Sequence, residues 1–256
     1  MFTTAHAEQR AAFLPYFPIG YPTYADSVAA IAAMASENVD GFEIGIPFSD
    51  PLADGPVNQA ASQISLDNGT TVTTTLDAVR ELRSQGVTQP MLMFSYLNPL
   101  LAYGTARFVQ DAHVAGADGL MIPDLPPDEA HLFAEVCAQT GMALVFFLAP
   151  TSSPSRIALV AQQATGFIYV VPITGITGAR TELPPDLVEF IGRVRAQAQQ
   201  PLVMGFGIST PEHARVMHGL VNGFIVGSAL VKAGAAGGEA GTQAVRALTA
   251  SLRQAR

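Results

Sequence analysis

Glu43 is the first residue that asks for a chemical explanation. It lies inside Gly41-Phe42-Glu43-Ile44-Gly45-Ile46, an otherwise apolar run. On an extended strand its side chain points away from the side taken by Phe42 and Ile44. A carboxyl group held among apolar neighbours is desolvated. Its pKa is expected to rise toward neutrality, where it serves as a general acid or base. A purely structural Glu would need a buried Arg or Lys beside it, and no basic residue stands at the end of another apolar run. The segment that follows, Pro47-Phe48-Ser49-Asp50-Pro51-Leu52-Ala53-Asp54-Gly55-Pro56, carries two aspartates between Pro and Gly. Asp in such turns usually accepts from backbone N–H groups. One of Asp50 and Asp54 is therefore expected to be structural and the other to reach the site, and spacing alone does not choose between them.

Anion chemistry is legible further along. Gly205-Phe206-Gly207-Ile208-Ser209 ends an apolar run ahead of the helix opening at Thr210-Pro211-Glu212, and Gly227-Ser228-Ala229 ends another. Glycines that open helices present backbone N–H groups to a phosphate without help from Lys or Arg. Between them, Pro172-Ile173-Thr174-Gly175-Ile176-Thr177-Gly178-Ala179-Arg180 has the Gly and Thr content of a mobile lid, or of a long exposed connection.

The elements that must position these groups alternate in type. Strands are expected at Phe13–Ile19, Gly41–Ile46, Met91–Phe94, Gly119–Ile122, Ala143–Leu148, Gly166–Val171, Leu202–Gly205 and Gly223–Val226. Helical periodicity appears at Asp26–Glu37, Val57–Asp67, Thr73–Gln85, Thr105–Ala115, Glu129–Gln139, after Ser153-Pro154, and at Glu239–Leu252. Ala233–Gly241 reads as a surface loop. The strands are continuous apolar runs, as in parallel sheets covered on both faces. Eight βα units in 256 residues indicate a single (β/α)8 TIM barrel spanning residues 1–256. A doubly wound sheet would want a Gly-rich turn after the first strand, and Gly20-Tyr21-Pro22 is not one. In a barrel Glu43 points into the mouth, and the glycines after strands seven and eight fall where phosphate sites recur. A faint repeat, a polar residue and Gly before an apolar run, precedes the even strands at Asp40, Asp118, Thr165 and Asn222. Its Gly reads as a tight helix-to-strand turn.

Composition narrows the classes. Thirteen basic against 21 acidic side chains give a net charge of −8, without a basic run, which argues against nucleic acid or anionic membrane. Charged residues are 13% of the chain, about half the usual share, which leaves a sparsely charged surface or one partly covered by another chain. One cysteine, Cys137, leaves no disulfide within the chain and no thiolate zinc site, and fits a reducing cytoplasm. Met1–Arg10 has no apolar core of a signal peptide, and no apolar run is long enough to span a bilayer.

The run from Phe42 to Pro56 resembles the signature of the tryptophan synthase alpha chain family, and the likeness continues in Thr174–Gly178, Gly205–Ser209 and Gly227–Ala229. The resemblance implies a barrel that splits indole-3-glycerol phosphate into indole and glyceraldehyde 3-phosphate by a retro-aldol reaction. It implies Glu43 and Asp54 as the catalytic carboxylates, Asp54 against the indole N–H and Glu43 moving protons at indole C3 and the glycerol hydroxyl. Asp50 is then the structural one. It implies a phosphate site at Gly178, Phe206, Gly207, Gly227 and Ser228. Tyr16, Phe94, Tyr96, Met121, Phe147, Tyr169 and Phe206 fall on or near the indole pocket, and Thr177 is a lid residue that meets Asp54 on closure. No metal or cofactor is implied for this chain; pyridoxal phosphate belongs to a partner beta chain, in an alpha2beta2 heterotetramer. The family often has Phe at Tyr16, Leu at Phe94 and Ser at Pro172. Other readings are a stand-alone lyase releasing free indole, a non-catalytic barrel that only activates a beta chain, and an isomerase of phosphorylated sugars. The non-catalytic reading would need one carboxylate to be missing, and the isomerase would not require the Asp54 loop.

Overall fold

The computed structural model describes residues 1–172, 185–205 and 207–254. Eight parallel strands close on themselves in chain order: β1 Ala12–Pro18, β2 Phe42–Gly45, β3 Met91–Phe94, β4 Gly119–Met121, β5 Ala143–Leu148, β6 Ile168–Val170, β7 Leu202–Met204 and β8 Gly223–Val226. The expected (β/α)8 barrel is therefore the fold, with strand ends moved by a residue or two. Around it lie α1 Phe2–Ala7, α2 Tyr24–Ser36, α3 Pro56–Asp67, α4 Val72–Ser84, α5 Leu97–Tyr103, α6 Thr105–Ala115, α7 His131–Thr140, α8 Pro154–Gln163, α9 Pro185–Arg195, α10 Pro211–Met217, α11 Ser228–Ala233 and α12 Gly238–Arg253. The strands are buried along almost their whole length, so their near-continuous apolar character is what the two-sided covering requires.

Three helices were not anticipated from the sequence. α1 and α5 hold six and seven residues, too short for a periodic stripe to register. α9 begins at Pro185, the start of a helix being where a proline's missing N–H is no loss. The expected loop at Ala233–Gly241 is mostly ordered. A 3-10 turn occupies Gly234–Ala236, and α12 starts at Gly238, whose N–H donates to Asp26 Oδ1 at 2.7 Å.

The repeat before the even strands has a physical basis. Asp40, Asp118, Thr165 and Asn222 each accept, through a side-chain oxygen, the N–H of Phe13, Met91, Leu144 and Leu202 at 2.8–2.9 Å. Each also donates its own backbone N–H to the carbonyl of that same residue. Four polar side chains thus fasten the starts of β1, β3, β5 and β7 at the closed end of the barrel. The glycines that follow are not all turn residues. Of Gly41, Gly119, Gly166 and Gly223, only Gly166 has a positive φ, at 91°. A Cβ on Gly119 would stand 2.8 Å from the Ala143 carbonyl, and one on Gly223 3.1 Å from that of Ala12. Close approach of the next strand's backbone is what these positions need. α1 lies across this end, its Phe2 ring edge-on to Phe167 at 5.8 Å.

Candidate active site

The opposite end of the barrel is open, and Glu43 lies just inside it. Glu43 pairs with Tyr16 of β1 and Leu92 of β3, and its neighbours Phe42 and Ile44 are wholly buried. It is 3% exposed, yet borders the cavity at the barrel mouth. Burial pushes its carboxyl well above the usual carboxylate range, and the nearby Asp54 charge pushes it the same way. Among the described residues no hydrogen bond holds it.

Asp54 reaches the same cavity from the loop after β2. Gly55 and Pro56 end that loop and open α3, so Asn58 stands one turn beyond Asp54. Asn58 Nδ2 donates to Asp54 Oδ1 at 3.2 Å, and the Tyr96 hydroxyl donates to Asp54 Oδ2 at 2.8 Å. The Tyr96 oxygen in turn accepts from the Ala53 N–H at 3.0 Å. Burial raises the Asp54 carboxyl, and the two donors pull it back toward the ionised form. Asp50 is exposed, takes a hydrogen bond from Ser49 and does not border the cavity. Asn58 carries no motif of its own; its only signal in the sequence is an amide four residues after an Asp, with α3 beginning between them.

The cavity holds about 390 Å³. Four of the residues expected at an indole pocket are on its wall: Tyr16, Phe94, Phe147 and Tyr169. The Tyr16 ring meets Phe94 edge-on at 5.7 Å, and Phe147 stacks on Tyr169 at 4.7 Å. Both tyrosines are seated by glycine: a Cβ on Gly45 would lie 2.7 Å from the Tyr16 hydroxyl, and one on Gly205 would overlap that of Tyr169. Two of the residues expected on or near the pocket do not border the cavity. Met121 is wholly buried and off the wall, because Pro123, two residues further along the same side, takes that place. Tyr96 is also off the wall; its ring packs against Phe48 and Phe94 while its hydroxyl holds Asp54. Asn58, Ile208 and Ile225 also line the cavity, in ways the sequence did not suggest.

Of the expected phosphate residues, Gly207, Gly227 and Ser228 border the cavity. Gly207 has φ of 78°, and Gly227 and Ser228 open α11. Gly178 and Phe206, with the lid residue Thr177, lie outside the described residues. Among the described residues no group of three or more His, Cys, Asp or Glu is placed to hold a metal ion, and no helix is long and apolar enough to cross a membrane.

The family model for the tryptophan synthase alpha chain matches residues 2–256. The chain belongs to the tryptophan synthase alpha chain family. It is 46% identical over 231 residues to the alpha chain of Roseiflexus castenholzii, a match covering 90% of this chain and 88% of the relative. The alpha chain of Chloroflexus aurantiacus is 43% identical over 230 residues, covering 90% and 86%. Among solved structures, tryptophan synthase of Mycobacterium tuberculosis superposes with a TM-score of 0.91 at 36% identity, over 99% of this chain and 95% of that one. As a member of this family the protein is a carbon–carbon lyase of tryptophan biosynthesis. It cleaves indole-3-glycerol phosphate to indole and glyceraldehyde 3-phosphate as the alpha subunit of tryptophan synthase, and its partner is a beta chain. The stand-alone lyase and the sugar isomerase are not favoured.

Proposed function

We propose that Glu43 and Asp54 carry the cleavage, within one barrel domain over residues 1–256. The observation that supports this most is that the two carboxylates face a single cavity in unlike surroundings. Glu43, desolvated and without a donor among the described residues, is poised to hold a proton. Asp54 is also raised by burial, but the donors Tyr96 and Asn58 hold it nearer its anion than burial alone would leave it. The protonated Glu43 delivers its proton to indole C3, and Asp54 takes the hydrogen bond of the indole N–H as positive charge grows on the ring. The Glu43 carboxylate then removes the proton of the carbinol hydroxyl next to C3. The electron pair of that O–H bond becomes the aldehyde carbonyl, the carbon–carbon bond breaks, and its pair restores the indole ring. Glu43 ends protonated, as it began. The protonated indolenine is its own electron sink, so the chemistry calls for neither metal nor cofactor on this chain. Pyridoxal phosphate belongs to the beta chain.

The substrate phosphate is assigned to the backbone groups of Gly207, Gly227 and Ser228; Gly178 and Phe206 are proposed as further phosphate residues, and Thr177 as the lid residue for Asp54, on family resemblance alone. The beta chain is placed against the rim of the mouth. There Leu52, on the Asp54 loop, is 87% exposed, and Leu101, on α5 just beyond Tyr96, is 54% exposed. Two large apolar side chains so presented suit a partner's surface. The assembly we propose is alpha2beta2, in the cytoplasm. Substitution within the loop tests the choice of acid. Asp54→Asn should cost about 10²–10⁴ in indole release, while Asp50→Asn should leave turnover near that of wild type. The reverse pattern would overturn the assignment.

A further inference from the structure

Tyr16 stands on β1, between β8, which ends at Gly227, and β2, which carries Glu43. Its ring spans the gap. A Cβ on Gly227 would lie 3.2 Å from Tyr16 Cδ1, while the far end of the ring, the hydroxyl, lies over Gly45, two residues beyond Glu43. Tyr16 is 6% exposed and borders the cavity. Its hydroxyl has no hydrogen-bond partner among the described residues, although a buried phenol usually finds one. Burial first, and then the nearby Asp54 and Glu43 charges, keep it protonated, so its proton is available to an acceptor in the cavity.

A ligand whose phosphate rests at Gly227 and whose reacting carbon faces Glu43 must cross this ring. In indole-3-glycerol phosphate the stretch between those two points is the glycerol chain with its two hydroxyl oxygens. We propose that Tyr16 is a specificity residue for the known reaction, its hydroxyl donating a hydrogen bond to an oxygen of the substrate's glycerol side chain. This rests on the placement of phosphate and acid given under Proposed function. Tyr169, the other buried phenol of the wall, stands three strands round the barrel with its hydroxyl over Gly205 and is off this path.

The test compares two ligands that differ only in the diol: indole-3-glycerol phosphate and indole-3-propyl phosphate. Their dissociation constants are measured by calorimetry in the Glu43→Gln background, where turnover does not interfere. Tyr16→Phe should weaken the diol ligand by about five- to tenfold, the worth of one hydrogen bond, and leave the propyl ligand unchanged. In otherwise wild-type protein it should raise KM more than it lowers kcat. Equal weakening of both ligands, or of neither, would overturn the proposal, as would Tyr169→Phe lowering the diol preference as much as Tyr16→Phe does. Wild-type protein that releases no indole would overturn the functional reading, and the Tyr16 assignment with it. Wild-type turnover with an unchanged ligand ratio in Tyr16→Phe would overturn the Tyr16 assignment alone.

Discussion

Burial of Glu43 has a consequence for stability that is separate from its chemistry. A carboxyl whose pKa is higher in the folded chain than in the unfolded one binds its proton more tightly when folded. Its presence then costs stability as pH rises from about 4.5 through the raised value, and the full cost is felt above it. Glu43→Gln removes the charge and keeps the shape. It should raise Tm more at pH 8 than at pH 4, by about 3–6 °C for each 1–2 kcal/mol relieved. A gain of the same size at both pH values would contradict the burial argument. Asp54 behaves differently because two donors hold it. Tyr96→Phe removes one charge-assisted hydrogen bond of a kind worth about 1.5–3 kcal/mol. It should lower kcat about tenfold or more with little change in KM. Because a donor to a carboxylate lowers its pKa, the acid limb of the pH–rate profile should move upward. An unmoved acid limb would mean that Tyr96 is only packing.

At the scale of elements, the four polar clamps account for how a barrel of strands three to seven residues long keeps its register. Asn222→Ala would leave the Leu202 N–H without its acceptor at the start of β7. A loss of about 1–3 kcal/mol is expected, whereas Asn222→Asp retains the oxygen and should cost less; urea denaturation of the two variants distinguishes them. The repeat was visible in the sequence as polar-Gly before an apolar run, but its meaning was not. A side-chain oxygen that bonds a strand twenty or more residues earlier leaves no local pattern, and a glycine needed for a neighbour's backbone looks the same as one needed for a turn. The strands were legible because parallel, two-sided burial makes them uninterrupted apolar runs. Short helices such as α1 and α5 were not, since six or seven residues give less than two turns of periodicity. Glu43 was legible for the same reason as its strand: a charge inside an apolar run has no local excuse. Asp54 could not be separated from Asp50 by spacing, because the difference is which one the loop turns toward Tyr96. Met121 and Tyr96 were placed on or near the pocket by likeness to a family; Met121 lies one layer below Pro123 on the same side, and Tyr96, beyond the end of β3, turns its hydroxyl to Asp54.

For the whole molecule, the barrel gathers groups that are far apart in the chain onto one end. Glu43 comes from β2, Asp54 from the next loop, and Gly207, Gly227 and Ser228 from the ends of β7 and β8. The low share of charged side chains and the exposed Leu52 and Leu101 beside that end are in keeping with a surface shared with a beta chain. The central claim is that Glu43 moves the protons of the cleavage, with or without that partner. It is tested most directly by indole release from indole-3-glycerol phosphate, measured for wild type and Glu43→Gln, each alone and with the beta chain. Wild type should release indole in both conditions, faster with the partner, and Glu43→Gln should lose about 10²–10⁴ of that rate in both. Near-normal turnover by Glu43→Gln in either condition would contradict the account.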